Sequence, residues 1–112
     1  MIQPVSVPKP DWAPLPRPGC HGVDFKVLLH RPDLVLAMLR FAPRASIDEH
    51  SAPFSIDVIC LEGDGLFSVD GHPSAIRVGQ RVEWPADSLH RLWTEDSTML
   101  TLMVEHRLST GG

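Results

Sequence analysis

The sequence predicts an all-β protein, either a two-sheet sandwich or a small barrel. Runs rich in Val, Leu, Ile and Phe alternate with turn residues at intervals of about eight to twelve positions, which is typical of such folds. None of the runs convincingly follows a helical period. The dipeptide Asp70-Gly71, suited to a tight hairpin turn, lies between two of them. With 112 residues the chain is one domain by length, and it can bury a core without metals or disulfides.

The first predicted element after the N-terminal segment is a β-hairpin. The runs "VDFKVLLH" and "LVLAMLRFA" are separated by "RPD", and a Pro-Asp turn between apolar runs indicates a hairpin. The second run is apolar at nearly every position, so we expect both of its faces to be covered. A helix could accommodate "RPDLVLAMLRFA", but its β-branched and aromatic content and the flanking prolines favour a strand.

The remaining predicted strands follow one another with short connections. "PRASIDEHSAPF" is predicted to be a polar connection, and "SIDVICLEG" the next strand, which ends at "GDG". "LFSV" and "AIRV" flank the Asp70-Gly71 turn, and "RVEW", "HRLW" and "TMLTLMVEH" complete the set. Pro85 ends one of these strands because proline cannot donate to a ladder of hydrogen bonds.

Residues 1–21 are predicted to form a proline-rich N-terminal arm, and residues 22–112 the barrel domain. Six of the eleven prolines lie within the first 18 residues. Proline lacks the amide donor, so this segment is neither a helix nor a central strand. Two alternatives stay open: a loose tail, or an extended arm laid over the barrel or over a second subunit and anchored by Trp12 and Leu15.

Composition and charge exclude several classes of function. The net charge of −4 disfavours binding to nucleic acid, which requires a basic surface. No apolar run approaches the roughly 20 residues that span a bilayer, so no membrane association is expected. The N-terminus lacks the pattern of a signal peptide, and Cys20 and Cys60 can both be free thiols. We therefore expect a cytoplasmic protein.

The stretch from Gly79 to Thr94 carries a family resemblance. It resembles the second conserved motif of the cupin superfamily: glycine, five residues, proline, one residue, glycine, two residues, histidine, three residues, asparagine. Here Gly79, Pro85 and His90 match, while Asp87 stands at the second glycine and Thr94 at the asparagine. The glycine at position 79 is also expected on physical grounds, because the chain there needs a left-handed backbone.

A second stretch matches the first cupin motif in part. Arg44 stands at the motif's first glycine, His50 at its first histidine and Ala52 at its second; Ile56 occupies the glutamate position and Gly63 the final glycine. The resemblance is to small single-domain bacterial cupins of the RmlC-like kind. It implies a double-stranded β-helix, the cupin or jelly-roll barrel.

The turn at Pro43-Arg44 is expected to differ from that of relatives with glycine. A type II turn there would place Arg44 at positive φ, which is costly for a residue with a Cβ.

Catalytic cupins hold iron, manganese, nickel or zinc on three histidines and a glutamate. Of these positions only His50 and His90 carry a donor here, so the resemblance implies either no cofactor or a weakly held divalent transition metal (Zn, Fe, Mn or Ni) on these two residues. Asp57 would replace the glutamate only if a bulge shifted the strand register. The other histidines are expected to be exposed or structural: His21, His30, His72 and His106.

Strand alternation predicts the walls of a pocket. If His50 points inward, alternate residues up to Cys60 do so as well, with His90 and Leu92 opposite. An apolar cavity with one or two imidazoles suits a small apolar or aromatic ligand with a single polar handle. The alternative is that the side chains fill the space. From the last strand, either Met99, Thr101 and Met103 or Leu100, Leu102 and Val104 face inward. The predicted ligand-binding residues are His50, Ala52, Phe54, Ile56, Val58, His90 and Leu92.

Two functions follow as hypotheses. The first is a binding module whose metal-ligand set has degenerated and which binds an apolar or aromatic small molecule. The second is a metal-dependent cupin enzyme, a dioxygenase, isomerase or lyase, with an incomplete histidine set. We also expect a homodimer, because Trp93, Ile59 and Leu61 fall on the outer face, and apolar patches of that kind mark interfaces.

Overall fold

Within residues 2–107, which the computed structural model describes, the chain forms eight β-strands and no helix. None of these residues belongs to a helix long and apolar enough to cross a bilayer. The strands are β1 (Lys9–Pro14), β2 (Cys20–His30), β3 (Leu34–His50), β4 (Ser55–Val69), β5 (His72–Arg77), β6 (Arg81–Trp84), β7 (His90–Trp93) and β8 (Met99–His106).

Two long strands, β3 and β4, close the structure into a barrel. The first part of β3 pairs with β8 and its end pairs with β7. Likewise, β4 pairs first with β8 and then with β7, so that β3, β8, β4 and β7 form a closed ring. β2 and then β1 extend the sheet beyond β3, while β5 and β6 both pair with β4. All of these pairings are antiparallel. The predicted all-β barrel is confirmed, and β2 and β3 form the predicted hairpin.

Two of the strand boundaries predicted from sequence are wrong. The polar segment from Pro43 to His50 is the second half of β3, and "GDG" lies inside β4. Each long strand bends at its middle, where Arg44 (φ 59°) and Gly63 (φ 72°) adopt a left-handed backbone. Each of these strands pairs with β8 in one half and with β7 in the other, and such a change of partner needs a bend, so the polar and glycine residues mark corners and not ends.

The corner of β3 also corrects the expectation that Arg44 avoids positive φ. Its amide donates to the carbonyl of Glu95 at 2.7 Å. The hydroxyl of Thr94 donates to the Ala42 carbonyl at 2.6 Å and accepts from the Ala45 amide at 3.0 Å. Thr94 is only 3% exposed. This residue, at the asparagine position of the cupin motif, holds the backbone in a conformation that arginine alone disfavours.

Alternation along the strands places the core as expected for β4 and resolves the open choice for β8. Ile56, Val58 and Cys60 are buried. In β8 the buried residues are Met99, Thr101 and Met103, while Leu100, Leu102 and Val104 are half-buried on the outer face. Asp57 points outward and pairs with Arg81 and His106, so no bulge turns it into the barrel.

β1 is an edge strand, the position in a sheet that tolerates proline. Leu15, just after β1, packs against the core. Trp12 lies between two cations, with Lys26 Nζ 4.8 Å and the Arg40 guanidinium 4.4 Å from the ring centroid. β2 begins at Cys20. The division of the chain after residue 21 stays a prediction.

Candidate functional site

A cavity of about 250 Å³ lies between the inward faces of the strands at one end of the barrel. Five of the residues that line this cavity have polar side chains: Arg17, His30, His50, Glu105 and Arg107. An apolar cavity of about 150 Å³ can hold benzene, so this one is large enough for an aromatic ring. Its apolar walls include Phe25, Val27, Ala37, Leu39, Ile56 and Met103.

His50, the last residue of β3, is held in one tautomer by its hydrogen bonds. Its Nδ1 lies 2.8 Å from the carbonyl oxygen of Asp48, which can only accept, so Nδ1 carries the proton and donates it. Its Nε2 then presents a lone pair. The Arg17 guanidinium can only donate, and its Nη1 lies 3.0 Å from the Nε2 of His50.

His90, the first residue of β7, lies directly behind His50. It is 1% exposed, and its ring meets that of His50 edge-on with centroids 4.4 Å apart. Its other neighbour is Trp84, whose ring stacks on the imidazole at 4.0 Å and nearly parallel. The Nε2 atoms of the two histidines are 3.1 Å apart. The Nε2 of His50 has a single lone pair, so a proton on the Nε2 of His90 shares that lone pair with the Arg17 guanidinium in a three-centre contact.

The environment of His90 keeps its imidazole neutral. Burial and, next, the neighbouring His50 lower the pKa of His90 to about 4. With the proton on Nε2, its Nδ1 is left as a lone pair. Among residues 2–107, neither this Nδ1 nor the indole Nε1 of Trp84 has a hydrogen-bond partner.

The residues predicted to bind a ligand fall into two groups. His50 and Ile56 line the cavity. The structure also brings His50 and His90 together, as the motif spacing predicts. His90, Leu92 and Val58 are fully buried in the core and are not part of the cavity lining.

Ala52 and Phe54 both lie in the connection between β3 and β4, outside the cavity lining. The carbonyl of Ala52 accepts a hydrogen bond of 2.7 Å from the amide of Asp87. The ring of Phe54 packs under the guanidinium of Arg107 at 5.0 Å.

Sequence reasoning missed most of the cavity wall and its arginines. Phe25 and Val27 of β2 pair with Leu39 and Ala37 of β3, and alternation within that hairpin could have identified this face. No pattern marks Arg17, because it lies in the proline-rich segment and not in a periodic strand.

The residues at the site do not fit a metal ion. Within residues 2–107, no group of three or more His, Cys, Asp or Glu side chains is arranged to hold one. Protein metal sites usually supply three or four such donors. In addition, the lone pair of His50 already accepts from Arg17, and a guanidinium at that distance repels a metal cation.

Charge at the cavity is unevenly compensated. Arg107 forms an ion pair with Glu105 at 2.8 Å. In the part of the chain that the structure describes, no carboxylate lies within salt-bridge distance of Arg17. Within the described residues, the lining therefore carries one positive charge that is not paired with a carboxylate at salt-bridge distance.

Comparison with solved structures identifies the fold. A polyketide cyclase, RemF from Streptomyces resistomycificus, is similar to 96% of this chain over 81% of its own length, with 18% identity and a TM-score of 0.84. A cupin-2 domain protein from Rhodospirillum rubrum matches 96% of this chain and 78% of its own (18% identity, TM-score 0.79). KdgF from Halomonas sp. matches 90% of this chain and 89% of its own (18% identity, TM-score 0.75).

Neither a protein-family model nor a curated protein matches the sequence. At identities this low, the structural similarity establishes the fold and does not establish the activity. The closed antiparallel ring, the paired motifs and these structural neighbours agree: this chain has the fold of the cupin superfamily.

Proposed function

We propose that this protein binds a small apolar or aromatic molecule in the barrel cavity. The single observation that carries the proposal is the cavity of about 250 Å³, which has apolar walls and a few polar side chains in its lining. Small-molecule sites are typically built this way, with apolar walls for affinity and a few polar groups for orientation. Arg17 and His50 are the polar groups best placed to orient a ligand.

A binding module accounts for the site better than a metal-dependent enzyme does. A dioxygenase, isomerase or lyase of that kind needs a metal with an open coordination position. The donor set here offers two imidazoles, and the nitrogen that His50 presents accepts from Arg17. The structural neighbour from Streptomyces resistomycificus is named a polyketide cyclase, which makes a polyketide one candidate ligand within the proposed class.

The proposal is tested by filling the cavity. Ala37 lines the cavity, so Ala37→Phe should occupy ligand space. Ala75 is exposed and does not line the cavity, so Ala75→Phe is a matched control that adds the same aromatic ring outside the barrel. By isothermal titration calorimetry with 1-naphthamide, we expect the control to bind as the wild type does and Ala37→Phe to bind at least about tenfold more weakly. A wild type that binds neither 1-naphthamide nor its carboxylate analogue 1-naphthoate, or unchanged binding to Ala37→Phe, contradicts the proposal.

We also propose that the protein forms a homodimer through the outer face of the sheet. Met38, Leu102 and Ile59 lie side by side on three neighbouring strands, and each is half-buried. Leu61, further along β4, is 39% exposed. A row of this kind resembles the apolar centre of an interface. Light scattering should give twice the chain mass for the wild type and the chain mass for Leu102→Lys; a monomeric wild type refutes the dimer.

A further inference from the structure

Arg17 is held at the cavity by an ordered backbone. Its amide donates to the Leu15 carbonyl at 2.9 Å, and its carbonyl accepts from the Cys20 amide at 3.2 Å. Pro16 and Pro18 flank it, and proline restricts the backbone on both sides. The guanidinium therefore reaches His50 from a segment that has lost much of its freedom before any ligand arrives.

This segment is also attached to the barrel at both of its ends. The Leu15 amide donates to the Val23 carbonyl, and the Asp48 amide donates to the Gly19 carbonyl, each at 2.9 Å. Asp48 is the residue whose own carbonyl accepts the Nδ1 proton of His50. Arg17 and His50 are thus fixed relative to each other through neighbouring backbone bonds.

The guanidinium of Arg17 has donors to spare. It carries five N–H groups in a planar fork, and the contact with His50 involves Nη1 alone. Arg107, the other arginine of the lining, binds Glu105 through both Nε and Nη2. Of the two arginines, Arg17 is the one with its charge and most of its donors available.

From this we infer that the ligand of the cavity is an organic anion, an aromatic or aliphatic molecule with one carboxylate that Arg17 binds. The inference rests on the proposed function and adds the chemical class of the polar handle. A planar fork matches a carboxylate with two parallel hydrogen bonds, which are stronger than bonds between neutral groups. The apolar walls favour an organic carboxylate over an inorganic anion, which would leave them without contacts.

The test compares two probes of nearly equal shape, 1-naphthoate and 1-naphthamide, by calorimetry at neutral pH. The wild type should bind the carboxylate at least about tenfold more tightly than the amide, as expected for a charge-assisted hydrogen bond. Arg17→Gln should lose that preference and bind the two probes within about threefold of each other. Arg17→Lys, which keeps the charge without the fork, should retain part of the preference.

A matched control removes the same charge elsewhere. Arg31 is exposed and does not line the cavity, so Arg31→Gln should keep the full preference for 1-naphthoate. Equal binding of the two probes by the wild type overturns the inference and leaves the proposed function standing. A preference that persists in Arg17→Gln also overturns it. If the wild type binds neither probe, the proposed function and the inference both fail.

Discussion

The hydroxyl of Thr94 should be worth more to stability than its size suggests. Thr94→Val keeps the shape of the side chain and removes the hydroxyl that joins the two sides of the β3 corner. The Ala42 carbonyl lies on an exposed residue and can turn to water, whereas Ala45 is 1% exposed and its amide is left without this partner. An unsatisfied buried donor costs about 1–3 kcal/mol. We expect Thr94→Val to lose about 2 kcal/mol of unfolding free energy.

Urea denaturation followed by far-UV circular dichroism measures this loss as a shift of the midpoint at constant slope. Thr94→Ser keeps the hydroxyl and loses only a methyl group, so it should cost about 1 kcal/mol or less. Thr94→Asn installs the residue of the cupin motif, whose amide can both donate and accept, and it should remain close to the wild type. If Thr94→Val is as stable as Thr94→Ser, the hydroxyl does not hold the corner and the reasoning is wrong.

Three further predictions concern the other corner, Arg44 and His90. Gly63→Ala should prevent folding or cost more than about 4 kcal/mol, because its Cβ would meet the Thr98 carbonyl oxygen at 2.0 Å; denaturation showing a loss below about 1 kcal/mol contradicts this. Arg44→Gly removes a side chain from a position with positive φ, so it should leave the free energy of unfolding unchanged or raise it by up to about 1 kcal/mol. A clear loss of stability in the same assay would show that the backbone at Arg44 is not strained. The pKa of His90 is about 4 in the folded state and about 6.5 in the unfolded chain. Between these pH values the unfolded chain binds more protons than the folded protein. The free energy of unfolding should therefore fall as the pH drops from 6.5 to 4, by at most roughly 3 kcal/mol. His90→Gln should flatten this fall in denaturation midpoints measured against pH, and the exposed control His72→Gln should not; equal slopes in the two variants count against the burial argument.

The fold was accessible from sequence because its signals are local. Alternation in β4 correctly placed Ile56, Val58 and Cys60 inside, and the spacing of the second motif placed His90 at the start of a strand. The corners were misjudged because a bent strand and a loop share the same residues. A proline and an arginine at the middle of β3 look like a connection until the partner strand is known.

The cavity was less accessible because its parts are distant in the chain. Arg17 and His50 are 33 residues apart, and their contact depends on the path of a proline-rich segment that no periodicity describes. The pairing of β2 with β3 decides which apolar residues reach the cavity. Alternation gives two possible faces for each strand, and only that pairing selects one of them.

Arg17 lies outside the closed ring of β3, β8, β4 and β7, on a segment between two peripheral strands. If Arg17 binds the ligand as proposed, selectivity depends on a segment that the closed ring does not contain. On that proposal, substitutions in this short segment would change the ligand head group that is bound while the ring keeps its hydrogen bonds. In a barrel of this kind, the ligand specificity could then change with little loss of unfolding free energy.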